Sequence, residues 1–313
     1  MATSVHSRPS ARIGLLQVCA ASVLWGTGGL VVTELHKHDG LGAMTVSAWR
    51  LALAAVALIA FAAVTGRWPA IRATMRTSPG LAVLVGCGTA AYQGLYFASV
   101  LFVGVSVSTV VSLGLAPILT AAWEHLAART RPAGREVSVL LTALAGLVLI
   151  SALAGHGSNA PEHRPTLGLL LAVASGATYA TTTLLGHSLA QRVDPIALTT
   201  CATTAGAIAL APFLVVALVT DEPSSPSGVG STALLVYLGI ATMALSYGLL
   251  YAGLRTTSGS AATVATLIEP LTAALCAALL LAERLPWPAI LGGVLILAAV
   301  AALRPTEEVP TPA

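Results

Sequence analysis

The chain has 313 residues, of which 56% are hydrophobic and 9% charged, with a formal net charge of +3. A soluble domain carries roughly 25% charged residues, so this composition excludes a soluble globular protein of this size: too few charges are present to cover its surface. The small net charge says nothing about nucleic acid, and the arginines are scattered in short connections rather than gathered into a basic patch.

Backbone groups in lipid must be paired inside a helix or a closed barrel. The apolar runs here are long and do not alternate with a period of two, which predicts helices. A crossing needs about 20 apolar residues. Ten are predicted: 13–34, 42–65, 80–102, 105–127, 135–155, 166–189, 195–219, 230–252, 257–281 and 287–304. The expected fold class is therefore an all-α integral membrane protein with ten transmembrane helices.

The N-terminal tail, 1–12, carries Arg8 and Arg12. The span after it is longer than a signal-peptide core and ends in Glu34-Leu35-His36-Lys37 with no small-residue cleavage site, so it is expected to be retained. It bears Ser22, Trp25 and Thr27 among Gly26, Gly28 and Gly29. These glycines lack the preceding strand and the spacing of a dinucleotide loop. They fit close helix approach, local unwinding near a ligand, or plain packing. His36, His38 and Asp39 have no further ligands nearby, so no metal site is expected.

Arg50 lies about a third of the way into the second span, where it either snorkels outward or faces a cavity and attracts an anionic group. On the third span Tyr92, Tyr96 and Ser99 share a face by i, i+4, i+7 spacing, with Gln93 adjacent. The stretch 156–165 is polar and marked by Pro and Gly, a linker. The sixth span carries the stripe Ser175, Tyr179, Thr182 and Thr183, and the eighth carries Tyr247 and Tyr251.

Tyr92 and Tyr96 thus recur as Tyr247 and Tyr251, displaced by 155 residues, and Asp39 recurs as Asp194 at the same displacement. Each tyrosine pair precedes a Ser/Thr-rich span with a central proline, Pro117 or Pro270. Two copies of one hydrophobic module are a mark of secondary transporters. The halves are 13–155 and 166–304, between tails 1–12 and 305–313. Placing the N-terminus in the cytoplasm puts 11 Lys or Arg residues inside and 3 outside, which predicts that both termini are cytoplasmic. Five spans per half is an odd number, so the two five-helix repeats are inverted. The tyrosines also fit an interfacial aromatic belt, but their repetition beside amide and hydroxyl side chains favours a cavity.

Glu269 is the sharpest single residue. It lies midway along the ninth span, directly before Pro270. An acid at the bilayer centre costs about 2.5–3.5 kcal/mol, so it must be enclosed, protonated or hydrogen-bonded. Thr263, Thr266 and Thr272 follow three-residue steps toward it. Two roles stay open: capping backbone groups freed by Pro270, or coupling transport to protons or substrate. Cys19, Cys87, Cys201 and Cys276 lie in four different apolar runs, which leaves no paired zinc spacing and no disulfide framework.

Several segments together resemble a known family. Glu269-Pro270, Ala282-Glu283-Arg284-Leu285 and Gly292-Gly293-Val294-Leu295-Ile296 look like the second repeat of the EamA family, part of the drug/metabolite transporter superfamily. Trp49-Arg50-Leu51-Ala52-Leu53-Ala54-Ala55, Ala116-Pro117 and Gly146-Leu147-Val148-Leu149-Ile150 resemble its first repeat. The resemblance covers about residues 13–304, with Ala128-Arg129-Thr130-Arg131 standing where a Gly-Glu-Arg turn would complete the symmetry. It implies ten helices in two inverted repeats and a role as an exporter of amino acids or other small metabolites.

The expected protein is a multi-pass transporter of the inner or plasma membrane with no cofactor and no enzymatic activity. Its expected substrate-binding residues are Trp25, Tyr92, Gln93, Tyr96, Ser99, Tyr179, Thr182, Tyr247 and Tyr251, with Glu269 and Arg50 as cavity charges. Its partners are a small-molecule substrate and the bilayer, not nucleic acid, with a homodimer left open. An integral-membrane enzyme acting on a lipid is the alternative, but the acid, base or metal cluster it needs near an interface is missing from the sequence. A sensor would need a soluble effector domain, for which the tails leave no room.

Overall fold

Backbone pairing within each segment is the rule that shapes this chain. The computed structural model describes residues 11–154, 164–220, 222–280 and 286–303, and all regular structure among them is helical. The helices are α1 (Ala11–Asp39), α2 (Ala43–Val64), α3 (Trp68–Thr77), α4 (Pro79–Ala128), α5 (Gly134–Ala154), α6 (Pro165–Ala190) and α7 (Pro195–Val219). Then come α8 (Val229–Gly239), a π-helical segment (Ile240–Leu245), α9 (Ser246–Gly253), α10 (Gly259–Ala265), α11 (Ile268–Leu280) and α12 (Trp287–Ala302). Eight helical stretches are long and apolar enough to cross a membrane, and α12 is a shorter apolar helix. The linker 156–163, Glu283-Arg284 and Arg304 lie outside the described residues.

The 50-residue α4 would be about 75 Å long if straight, more than twice the bilayer core. It folds back on itself at Gly104, whose φ of 78° and ψ of 168° are non-helical. Two bonds show the reversal: Tyr96 Oη meets Thr109 Oγ1 at 2.7 Å, and Ser99 Oγ meets Ser108 Oγ at 2.8 Å. Residues 13 apart in a continuous helix would be about 20 Å apart. A positive φ is accessible to glycine at no steric cost, so one residue replaces a loop.

The two halves are interleaved. In the first half α1 packs against α9 and α11 of the second, and α6 packs against α4. Glycines set the spacing, as expected where helices have no hydrophobic drive to associate in lipid. A Cβ at Gly26 would sit 2.5 Å from the Glu269 carbonyl oxygen, and one at Gly176 would sit 2.7 Å from that of Ser112. The last helices of the halves, α5 and α12, meet through Gly146 and Gly292, each facing the other's carbonyl.

Side-chain bonds tie the helix ends into two groups. In one, Arg67 pairs with Asp194 at 3.2 Å while Asp194 caps α7, accepting from the Ile196 and Ala197 amides. Glu124 accepts from the Gly259 amide (2.7 Å) and the Ser260 amide (3.2 Å) at the start of α10, and Gln191 donates to the Leu254 carbonyl. In the other group, Trp49 donates to the Ser224 carbonyl at 2.7 Å and Asp39 accepts from Ser227. The repeat-related Asp39 and Asp194 therefore differ: Asp194 is a helix cap, whereas Gly42 occupies the cap of α2.

Three local features depart from the sequence reading. The segment between the second and third spans is not a loop: α3 buries Ile71 and Thr74 and exposes Trp68, Arg72, Met75 and Arg76. The first helix runs on to Asp39, with Glu34 and His38 in contact at 3.0 Å one turn apart and basic residues suiting a helix C-terminus. The eighth span contains the π segment. His36 bonds the Leu41 carbonyl and His38 faces Glu34, so these two do not converge with Asp39.

Candidate functional site

Of the repeat-related tyrosines, Tyr247 and Tyr251 are buried among helices and Tyr92 and Tyr96 are half-buried. Tyr247 is 8% exposed, Tyr251 2% and Tyr179 8%. One third-span tyrosine in each half stacks on an aromatic ring from the first span of the opposite half. Trp25 lies against Tyr247 with ring centroids 5.1 Å apart, and Tyr179 lies against Tyr92 at 5.0 Å. Trp25 and Tyr179 are 154 residues apart, so the two aromatic pairs are repeat-related and crossed between halves. Tilted ring pairs at this distance are favourable beyond their area. Tyr251 extends the Trp25–Tyr247 pair, with its ring 6.0 Å from Tyr247.

Tyr92, Tyr96, Arg50 and Glu269 are half-buried, each keeping part of its surface accessible. A small pocket, about the size of one water molecule, is lined by Leu51, Thr89, Ala202, Thr203, Met243, Tyr247 and Tyr251. Arg50 does not snorkel: its Nη2 donates to Thr242 Oγ1 at 3.1 Å and lies 3.4 Å from Met243 Sδ, both in the π segment. π segments are frequent at functional sites. The Arg50 Nε is buried without a hydrogen-bond partner.

Glu269 stands at the break of the ninth span. The α-helix ends at Ala265 and resumes at Ile268, so Pro270 falls in the first turn of α11, where a missing amide costs nothing. The Glu269 amide donates to the Thr266 carbonyl at 3.0 Å. Its carboxyl makes no hydrogen bond among the described residues, so the structure gives it no part in capping the break. Gly26 admits the Glu269 backbone against α1, and helix α1 stays continuous through Gly26-Thr27-Gly28-Gly29. Of the readings open for the glycines, close approach applies at Gly26 and unwinding does not.

Other polar residues marked by the sequence bond either within their own helix or to a neighbouring one. Ser99 is fully buried and donates to the Gly168 carbonyl at 2.9 Å, pinning the Gly104 hairpin to α6. Gln93 donates to the Thr89 carbonyl, and Thr182 donates to the Thr178 carbonyl while facing Gly88. Ser22 bonds the Val18 carbonyl, Thr27 meets the Tyr237 hydroxyl at 2.7 Å, and Ser175 donates to the Tyr92 carbonyl. Thr183 donates to the Tyr179 carbonyl. The threonines near Glu269 have other partners: Thr263 meets Thr120 at 2.9 Å, Thr266 accepts from the Tyr179 hydroxyl at 3.1 Å, and Thr272 donates to the Ile268 carbonyl.

The structure adds residues that sequence reasoning missed. Thr242 and Met243 face Arg50, and no spacing rule marks a π segment. Glu124 joins α4 to α10, and its only sequence signal is a carboxylate near the end of an apolar run. Together the candidate site offers one cation, one acid and aromatic rings among packed helices. That is equipment for recognising a small polar molecule.

The EamA-like transporter family matches the chain twice, over residues 12–152 and 166–304. The chain is similar to "Uncharacterized transporter YwfM" of Bacillus subtilis, 28% identical over 94% of this chain and 96% of that protein. It is also similar to "Uncharacterized inner membrane transporter YicL" of Salmonella typhimurium, 26% identical over 93% of this chain and 95% of that one. A solved crystal structure of a protein 19% identical in sequence shares the fold, with a TM-score of 0.76 over 92% of this chain and 96% of that chain.

Proposed function

As the chain belongs to the EamA-like transporter family, we propose that it is a secondary active exporter of small metabolites such as amino acids, driven by the proton gradient through Glu269. The observation that carries this reading is the Glu269 carboxyl, half-buried at the break of the ninth span with no hydrogen bond among the described residues. A carboxyl in an enclosed, partly wet space can take a proton on one side of the membrane and release it on the other. The fold-back at Gly104 supports reading α4 as two crossings, and with α12 as another it supports ten crossings in two inverted halves. The Lys/Arg distribution supports cytoplasmic termini in a cell membrane. Inverted halves supply two mirror-related gates around one midplane site.

The test is Glu269→Gln, reconstituted beside the wild type. The variant keeps the shape of the side chain but cannot cycle a proton. It should lose accumulation driven by a pH gradient while still exchanging substrate down the substrate's own gradient. Full driven accumulation by Glu269→Gln would remove the residue as the proton site.

A further inference from the structure

The two halves share a scaffold but not their charges. The residue 155 positions after Arg50 is Ala205, and the residue 153 positions before Glu269, the spacing of Pro117 and Pro270, is Ala116. The symmetric frame thus holds one cation and one acid, each contributed by a different half. Arg50 lies within electrostatic range of Glu269, Tyr92 and Tyr247. Yet Arg50 and Glu269 are not an ion pair: among the described residues no carboxylate lies within 4.0 Å of Arg50.

Arg50 is also underused. A guanidinium has five N–H donors in a planar fork. Here the partners are Thr242 Oγ1 and the weak acceptor Met243 Sδ, while Nε has none. Thr242 gives its own proton to the Leu238 carbonyl at 2.7 Å, so its oxygen can only accept from Arg50. A deeply placed cation with unused donors is costly unless something completes it. The fork matches a carboxylate, which can take two parallel N–H bonds.

We propose that Arg50 holds the carboxylate of the transported molecule, and that the site takes a small zwitterion with its cationic group toward Glu269. This rests on the transporter reading above and narrows it to one substrate class with one orientation. Thr242 positions the fork, and the π segment brings Thr242 and Met243 to it together. Neutral and purely cationic solutes leave Arg50 incomplete, so the site discriminates against them.

The experiment uses full-length protein in proteoliposomes and three probe sets: the standard L-amino acids, their α-amides, and the amines that lack the carboxyl group. The wild type should move at least one amino acid about tenfold or more faster than its amide and its amine, the loss expected for one charge-assisted pair. Arg50→Gln should bring that ratio close to one, and Arg50→Lys should keep part of it. Melting of the purified wild type with each probe gives a reading that needs no variant: amino acids should raise the midpoint more than their amides. Equal handling of acids and amides by the wild type, or discrimination retained in Arg50→Gln, overturns the proposal. Transport of neutral or cationic solutes alone overturns it while leaving the transporter reading intact; transport of nothing tested, with no shift in melting, overturns both.

Discussion

Gly26→Ala adds a single methyl group at the contact between α1 and the helix that carries Glu269. The added carbon would lie 2.5 Å from the Glu269 carbonyl oxygen and 2.5 Å from Thr272 Cβ. Favourable carbon contacts begin at about 3.5 Å, so α1 and α11 must part by about 1 Å. Overpacking of this kind costs about 1–3 kcal/mol. Replacing glycine within a helix returns about 0.5–1 kcal/mol, which leaves a net loss of about 1 kcal/mol. Gly29 lies on the same helix with nothing within 4 Å, so Gly29→Ala collects the helix gain without the clash. The assay compares melting midpoints in detergent and initial transport rates in proteoliposomes for both variants. Gly26→Ala should melt earlier than the wild type and lose most of its transport, because the displaced element carries the acid. Gly29→Ala should match or exceed the wild type in both. Equal stability and transport of the two variants would refute the account of Gly26 as the spacer that seats Glu269.

Tyr92→Ala removes a ring that keeps open surface, so apparent substrate affinity should fall about tenfold, the equivalent of one aromatic contact, with membrane expression near wild type; unchanged transport kinetics would take the ring out of the site. Tyr251→Ala instead empties a position 2% exposed and should lower the yield of folded protein, measured by size-exclusion chromatography; normal yield would mean that the ring is not part of the core. Glu124→Ala uncaps α10, costs about 1 kcal/mol, and should raise thiol labelling in a Ser260→Cys background; unchanged labelling would show that this contact does not hold that end shut. A reporter fused after Ala313 should be active only in its cytoplasmic form, and activity on the far side would overturn the proposed orientation.

Span lengths were legible because lipid imposes them: most helical stretches fall within a few residues of the hydropathy reading. The repeated tyrosines were legible because the duplication preserves their spacing. The break beside Pro270 followed from the missing amide, although Pro117, its repeat counterpart, leaves its helix uninterrupted. What spacing could not convey is partnership at a distance. Ser99 looked like a ligand on the tyrosine face, but its hydroxyl belongs to the Gly168 carbonyl 69 residues later. Helix α3 escaped notice because its ten residues are too short and too polar to register as a span. The π segment left no trace, since Ile240–Leu245 reads as ordinary apolar helix. Arg50 was seen as a charge, but whether it snorkels depends on Thr242 and Met243, which only the folded chain brings alongside.

The crossed stacking of Trp25 on Tyr247 and of Tyr179 on Tyr92 bears on how such a chain can be taken apart. Neither half contains a complete aromatic pair of this kind; each lends its first helix to its twin. A lone repeat would lack the partner of each ring, and the two repeats together complete both pairs at once. The halves are thus mutually dependent, and a cut between them would separate the members of both pairs. Their charges are not duplicated in the same way: Arg50 and Glu269 each occur once, with Ala205 and Ala116 at the matching positions.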